Sequence, residues 1–124
     1  LPRKNLVFLP TPLVEMKNLS RILGGPRIFI KRDDLTGLAL GGNKPRKLEF
    51  LLGEALSQNC DVVVTSGAMQ SNTCRQTAAA AVAAGMECHL ALGGEALEFA
   101  TGNLLFDYLF GATIHWCSKD QKGE

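Results

Sequence analysis

Three short apolar runs, DVVVTSGA from position 61, ECHLALGG from 87 and TIHWC from 113, begin 26 residues apart. All three are too short for a helix, and the first and third are partly β-branched, as expected of strands buried on both faces. The segments between them are long enough for crossover helices. The rhythm predicts a βαβαβ unit, hence an α/β protein built on an open parallel sheet with flanking helices. Right-handed connections would lay both helices on the sheet.

The first crossover, SNTCRQTAAAAVAAG, is the clearest helix. Ser71 or Asn72 can cap its start, its alanines have high helix propensity, and Gly85 supplies the stop. The second, GNLLFDYLFG, is shorter and ends at Gly111. Upstream, PLVEMKNLSRILGG reads as an amphipathic helix closed by Gly24 and Gly25, and RIFIKRDD reads as a strand. A glycine-rich loop, GLALGGNKP, then leads into RKLEFLLGEALSQ, with Leu48, Leu51, Leu52 and Leu56 at helical spacing. Pro45 disfavours helical geometry in the residue before it, so Lys44 is predicted just outside the helix start. The loop at 36–45 is the candidate hinge between the N-terminal piece and the βαβαβ unit.

The 124 residues suffice for one domain or a part of a larger protein. A net charge of +1 leaves no electrostatic footprint for nucleic acid or an anionic membrane. Charges and glycines interrupt every apolar stretch well before the ~20 residues of a membrane span. LPRKNLVFLP shows no apolar signal core, and Cys60, Cys74, Cys88 and Cys117 lack metal-ligand or paired spacing. A soluble, cytoplasmic protein with reduced thiols is expected. The polar SKDQKGE run ends without a capping element, which reads as a cut chain.

In open parallel sheets, ligands bind beyond the carboxyl ends of the strands, which directs attention to SGAMQSN after the first run. Gly67 permits close backbone approach. Gln70, Ser71 and Asn72 sit where a helix start presents free N–H groups to an anion such as a carboxylate. Two readings stay open: an anion site, or a simple cap with a solvated glutamine. Lys44 also has two, a hydrated loop lysine or a reactive amine whose proton is repelled by Arg46 and Lys47. No Walker loop, dinucleotide fingerprint or H-E-x-x-H occurs. His89 and His115 fall within predicted strands as core or edge histidines, and Cys74 as a small packing residue.

Taken in order and spacing, TPL at 11–13, IFIKRDDLT at 28–36, GGNKPRKLEFL at 41–51 and SGAMQSNTCRQTAA at 66–79 resemble the D-cysteine desulfhydrase and 1-aminocyclopropane-1-carboxylate deaminase family. Its members are pyridoxal-phosphate enzymes of the tryptophan-synthase β-subunit fold (fold type II), and the likeness to their N-terminal portion covers nearly the whole chain. It implies that residues 1–48 belong to a larger cofactor domain, that 49–124 form a small βαβαβ domain, and that a C-terminal half is missing. That half would carry the glycine-rich phosphate cradle and a substrate-facing tyrosine.

The resemblance further implies that Lys44 bonds covalently to the aldehyde of pyridoxal 5'-phosphate and later acts as base. It makes Asn72 the partner of the pyridine hydroxyl and Ser71 a catalytic and substrate-touching group. Gln70, Ser71, Asn72 and Thr73 receive the substrate, and Lys47 approaches the cofactor phosphate. Expected chemistry is α,β-elimination from D-cysteine to pyruvate, ammonia and sulfide, with 1-aminocyclopropane-1-carboxylate deamination or L-cysteate sulfo-lyase activity as alternatives. A homodimer is the implied assembly. Two departures lie beside the site: Thr73 where the family often has histidine, and Pro45 before the arginine. The contrasting reading is a truncated α/β binding domain without catalysis.

Overall fold

The computed structural model describes residues 1–117; the terminal SKDQKGE run lies outside the described residues. The central sheet holds β3 (Val62–Ala68), β4 (Glu87–Gly93) and β5 (Thr113–Cys117), parallel and in that order. Val62 pairs with Glu87, and His89 with Thr113. The expected βαβαβ unit is therefore present. Its crossovers are α3 (Asn72–Ala84) and α4 (Gly102–Leu109).

Alternation along β4 decides which face meets the helices. Cys88, Leu90 and Leu92 are buried in the core, while His89 points the other way and meets His115 of β5, their ring nitrogens 2.9 Å apart. Successive residues of a strand face opposite sides, so a one-residue shift would exchange these two sets. The core is completed by Ala78, Ala80 and Ala81 of α3, by Leu104 of α4, and by Leu48 and Leu52 of α2 (Lys44–Ser57).

Every residue of α3 from Cys74 to Ala81 is buried. A helix so enclosed needs small side chains, because it lies between the sheet and α2 and must let both approach. The alanines thus serve packing as well as propensity. Gly85 ends α3 in the left-handed conformation at φ 71°, and its N–H bonds back to the helix.

Lys44 is the first residue of α2, not a residue outside it, and Pro45 is the second. The bias against a helical pre-proline residue is a preference only. At the second helical position proline lacks an N–H that would have had no intrahelical partner anyway. Leu48 and Leu52 are buried as the spacing predicts, whereas Leu51 remains exposed.

The N-terminal part also departs from expectation. Residues 13–15, read as helix, form β1 (Leu13–Glu15), followed by α1 (Lys17–Leu23). The predicted strand RIFIKRDD contracts to β2 (Phe29–Lys31), antiparallel to β1, with Leu13 opposite Lys31. Pairing between distant segments selected strand geometry where local periodicity fitted a helix. The segment before β1 is anchored on α2. Glu49, 1% exposed, accepts from Arg3 at 2.7 Å and from the N–H groups of Leu6 and Val7.

Candidate active site

The loop leading to Lys44 is shaped by backbone geometry that few residues tolerate. Ala39, Leu40, Gly41 and Gly42 all have positive φ (45°, 69°, 71° and 130°). For the first two this is strain of the kind that clusters at functional sites. A Cβ at Gly41 would lie 2.0 Å from the Asp34 carbonyl oxygen, so only glycine fits there. Thr36, fully buried, holds the turn by donating its hydroxyl to the Gly42 carbonyl at 2.8 Å and accepting from the Gly42 N–H at 3.0 Å.

The same loop is tied to α3. The Gln76 amide donates to the Gly41 carbonyl, and Arg75 Nη2 reaches that oxygen at 3.5 Å. The residue three positions before Lys44 is thus bonded to the first two turns of the alanine-rich helix. Lys44 itself is half-buried, and among the described residues no side chain or carbonyl holds its ammonium.

At the start of α3, Ser71 is the cap. Its Oγ accepts from the Cys74 N–H at 3.2 Å. Among the described residues the N–H groups of Asn72 and Thr73 find no acceptor, which is how a helix start comes to attract an anion. Gln70 spends its carboxamide on the neighbouring helix: Nε2 donates to the Thr101 carbonyl at 3.0 Å, and Oε1 accepts from the Asn103 N–H at 2.7 Å.

Sequence reasoning missed Arg75 and Asn103. Arg75 Nη1 donates to Asn103 Oδ1 at 2.6 Å and to Asn72 Oδ1 at 3.1 Å, and Asn103 Nδ2 donates to Asn72 Oδ1 at 2.9 Å. A signal existed: Arg75, Gln76 and Thr77 are polar residues inside an alanine-rich helix, where a fully enclosed helix has no solvent face to offer them.

One electrostatic expectation fails. Arg46 was to repel the Lys44 proton, yet its guanidinium forms a forked pair with Asp33 at 2.8 and 2.7 Å and a further bond to Thr11. The Arg46 hydrogen bonds hold the Asp33 carboxyl below its ordinary range. Cys74 is fully buried, as a packing residue should be, and that burial pushes its thiol up. Lys47 is exposed, on the same helix as Lys44.

The donor set fits pyridoxal phosphate carrying an amino acid. It comprises an unpaired primary amine for an aldehyde, a carboxamide whose oxygen is already engaged and whose N–H₂ end is available, and two unpaired helix-start N–H groups for a carboxylate. Among the described residues no cluster of three His, Cys, Asp or Glu side chains forms a metal site, and no helix is long and apolar enough to cross a membrane.

Similar proteins bear deaminase and desulfhydrase names. The chain is 51% identical over 123 residues to a putative 1-aminocyclopropane-1-carboxylate deaminase of Pyrococcus abyssi, covering 99% of this chain and 36% of that protein. It is 44% identical to the mitochondrial bifunctional D-cysteine desulfhydrase/1-aminocyclopropane-1-carboxylate deaminase of Arabidopsis thaliana, covering 94% of this chain and 30% of the relative. A crystal structure of an ACC deaminase homologue superimposes with a TM-score of 0.85 at 46% identity, over 94% of this chain and 35% of the other. The chain therefore spans about a third of the length of the relatives it matches. Residues 5–124 match the family described as pyridoxal-phosphate dependent enzyme, and the chain belongs to that family.

Proposed function

We propose that these residues supply the reactive lysine and the carboxylate-receiving helix start of a pyridoxal-phosphate lyase or deaminase acting on a small amino acid, most closely a D-cysteine desulfhydrase of fold type II. The observation that carries this reading is the bond network joining the Gly41 carbonyl to Arg75 and Gln76, which makes the Lys44 loop and the start of α3 one unit. When bound, the cofactor supplies an electron sink for cleavage next to the amino-bearing carbon.

The chain's own groups then have defined tasks. Lys44 offers the amine that joins the aldehyde and, once released, takes up or returns the substrate proton. The free N–H groups of Asn72 and Thr73 receive the substrate carboxylate. Asn72 donates its N–H₂ end to the ring oxygen, and Ser71 faces the substrate from the cap position. Gln70 acts at the substrate side by holding its loop against the start of α4, and Lys47 lies toward the phosphate. The lysine-bearing segment, 1–48, would belong with a larger cofactor domain and 49–124 with a small one, in a cytoplasmic homodimer.

The deaminase reading, ring opening of 1-aminocyclopropane-1-carboxylate to 2-oxobutanoate and ammonia, is kept because relatives bearing both names match at similar identity. Borohydride reduction of the cofactor-loaded natural polypeptide, followed by digestion, is expected to label the peptide containing Lys44. Label scattered over surface lysines would sink the proposal. Turnover of D-cysteine, 1-aminocyclopropane-1-carboxylate and L-cysteate, assayed side by side, separates the branches.

A further inference from the structure

We propose that Arg75 is a positioning residue that determines which end of the Asn72 carboxamide faces the cofactor ring. This rests on the reading above and adds to it a residue with no expected contact to cofactor or substrate.

Arg75 is 8% exposed and lies in the stretch of α3, Cys74–Ala81, in which every residue is buried. Burying a guanidinium is costly unless it is paired, and among the described residues no carboxylate stands within ion-pair distance of it. Its bonds go to neutral oxygens: Asn72 Oδ1, Asn103 Oδ1 and the Gly41 carbonyl. Asp107, also fully buried and with both oxygens unpartnered, adds a favourable charge without touching it. Such an arrangement is expensive as mere packing, and the surrounding alanines show what packing alone requires here.

The directional content comes from valence. Arginine has five N–H donors and no acceptor, so the Asn72 atom facing Arg75 Nη1 must be the carbonyl oxygen. Asn103 agrees independently. Its Oδ1 must face Arg75, which turns its Nδ2 toward Asn72 Oδ1 and toward the Gln70 carbonyl at 2.8 Å. Both donors converge on one oxygen, leaving the Asn72 N–H₂ as the outward end. A flipped amide would set its oxygen against a ring oxygen and lose the bond. Because Arg75 also reaches the Gly41 carbonyl, the same side chain relates that amide to the loop carrying Lys44.

The test is a double-mutant cycle on the natural, cofactor-loaded polypeptide. Cofactor affinity and the visible absorption maximum are measured for Arg75→Lys, Asn72→Ala and the pair. Lysine keeps the charge but cannot span the three oxygens. Arg75→Lys alone is expected to weaken cofactor binding about tenfold and displace the maximum, and to cost less than about twofold further once Asn72 is alanine. Equal losses in both backgrounds, or none in either, would overturn the inference. Should Arg75→Lys fail to fold, Asn103→Ala takes its place, since it removes a donor to Asn72 and keeps the arginine; the same pattern is expected, and additive losses overturn it. Borohydride labelling of the unsubstituted protein runs in parallel. Label absent from Lys44 defeats the underlying function, whereas label on Lys44 with additive losses defeats only this assignment.

Discussion

The two sheets of this protein are held together in different ways. The parallel sheet brings its own core: Leu90 and Leu92 are fully buried against the alanines of α3. The β1–β2 ribbon has no such backing. Leu13, Val14, Phe29 and Ile30 are exposed, α1 buries nothing, and side-chain charge pairs such as Arg27 with Glu15 and Arg46 with Asp33 cross-link the segment. A two-stranded hairpin is marginal alone. Stability and chemistry are therefore concentrated around α3, and the ribbon contributes chiefly by presenting Asp33 to Arg46 on the lysine helix.

The sharpest way to break this contrast is to remove a core side chain. Leu90→Ala is expected to cost about 2–5 kcal/mol, read as a lowered denaturant midpoint at unchanged slope. Next comes Gly41→Ala, about 1–3 kcal/mol for a side chain forced into positive φ and against the Asp34 carbonyl. It should also reduce borohydride labelling of Lys44, because the loop can relieve the clash only by moving.

Glu49→Gln tests the anchor of the N-terminal segment at about 1–2 kcal/mol near pH 7. Burial raises the Glu49 carboxyl, but the N–H groups of Leu6 and Val7 and the Arg3 side chain outweigh it and hold the carboxyl below its ordinary value. Its contribution is thus present above the unfolded value and lost as pH falls through the depressed folded one. The gap between variant and wild type should close in acid melts below about pH 4; a gap constant with pH would refute the assignment.

Smallest of all, Leu13→Ala in the ribbon should stay within about 0.5 kcal/mol, measured beside Leu90→Ala. Comparable losses at the two positions would show that the ribbon carries core it does not display.

Much of this is legible in the sequence. The three strands, both crossovers, a cap at Ser71 or Asn72 and the Gly85 stop followed from local chemistry: short apolar runs, an alanine tract, capping side chains at a helix start and a residue free to adopt positive φ. The order and spacing of GGNKPRKLEFL and QSN pointed to the cofactor family that residues 5–124 match. Apart from Lys44, misplaced on a local proline preference, what failed depended on partners distant in sequence. Leu13–Glu15 became a strand because Phe29–Lys31 lies beside it, and Arg46 lost its expected influence on Lys44 because Asp33 had already taken its charge.

Composition and pattern were enough to specify elements whose geometry each segment can satisfy with its own backbone and nearest neighbours. Whether Arg75 meets solvent or Asn103, and whether Gly41 comes within reach of Gln76, depends on where chain closure puts residues that are 28 to 35 positions apart. Hydrogen bonds act only over a few ångströms, so those assignments arose with the packed structure alone.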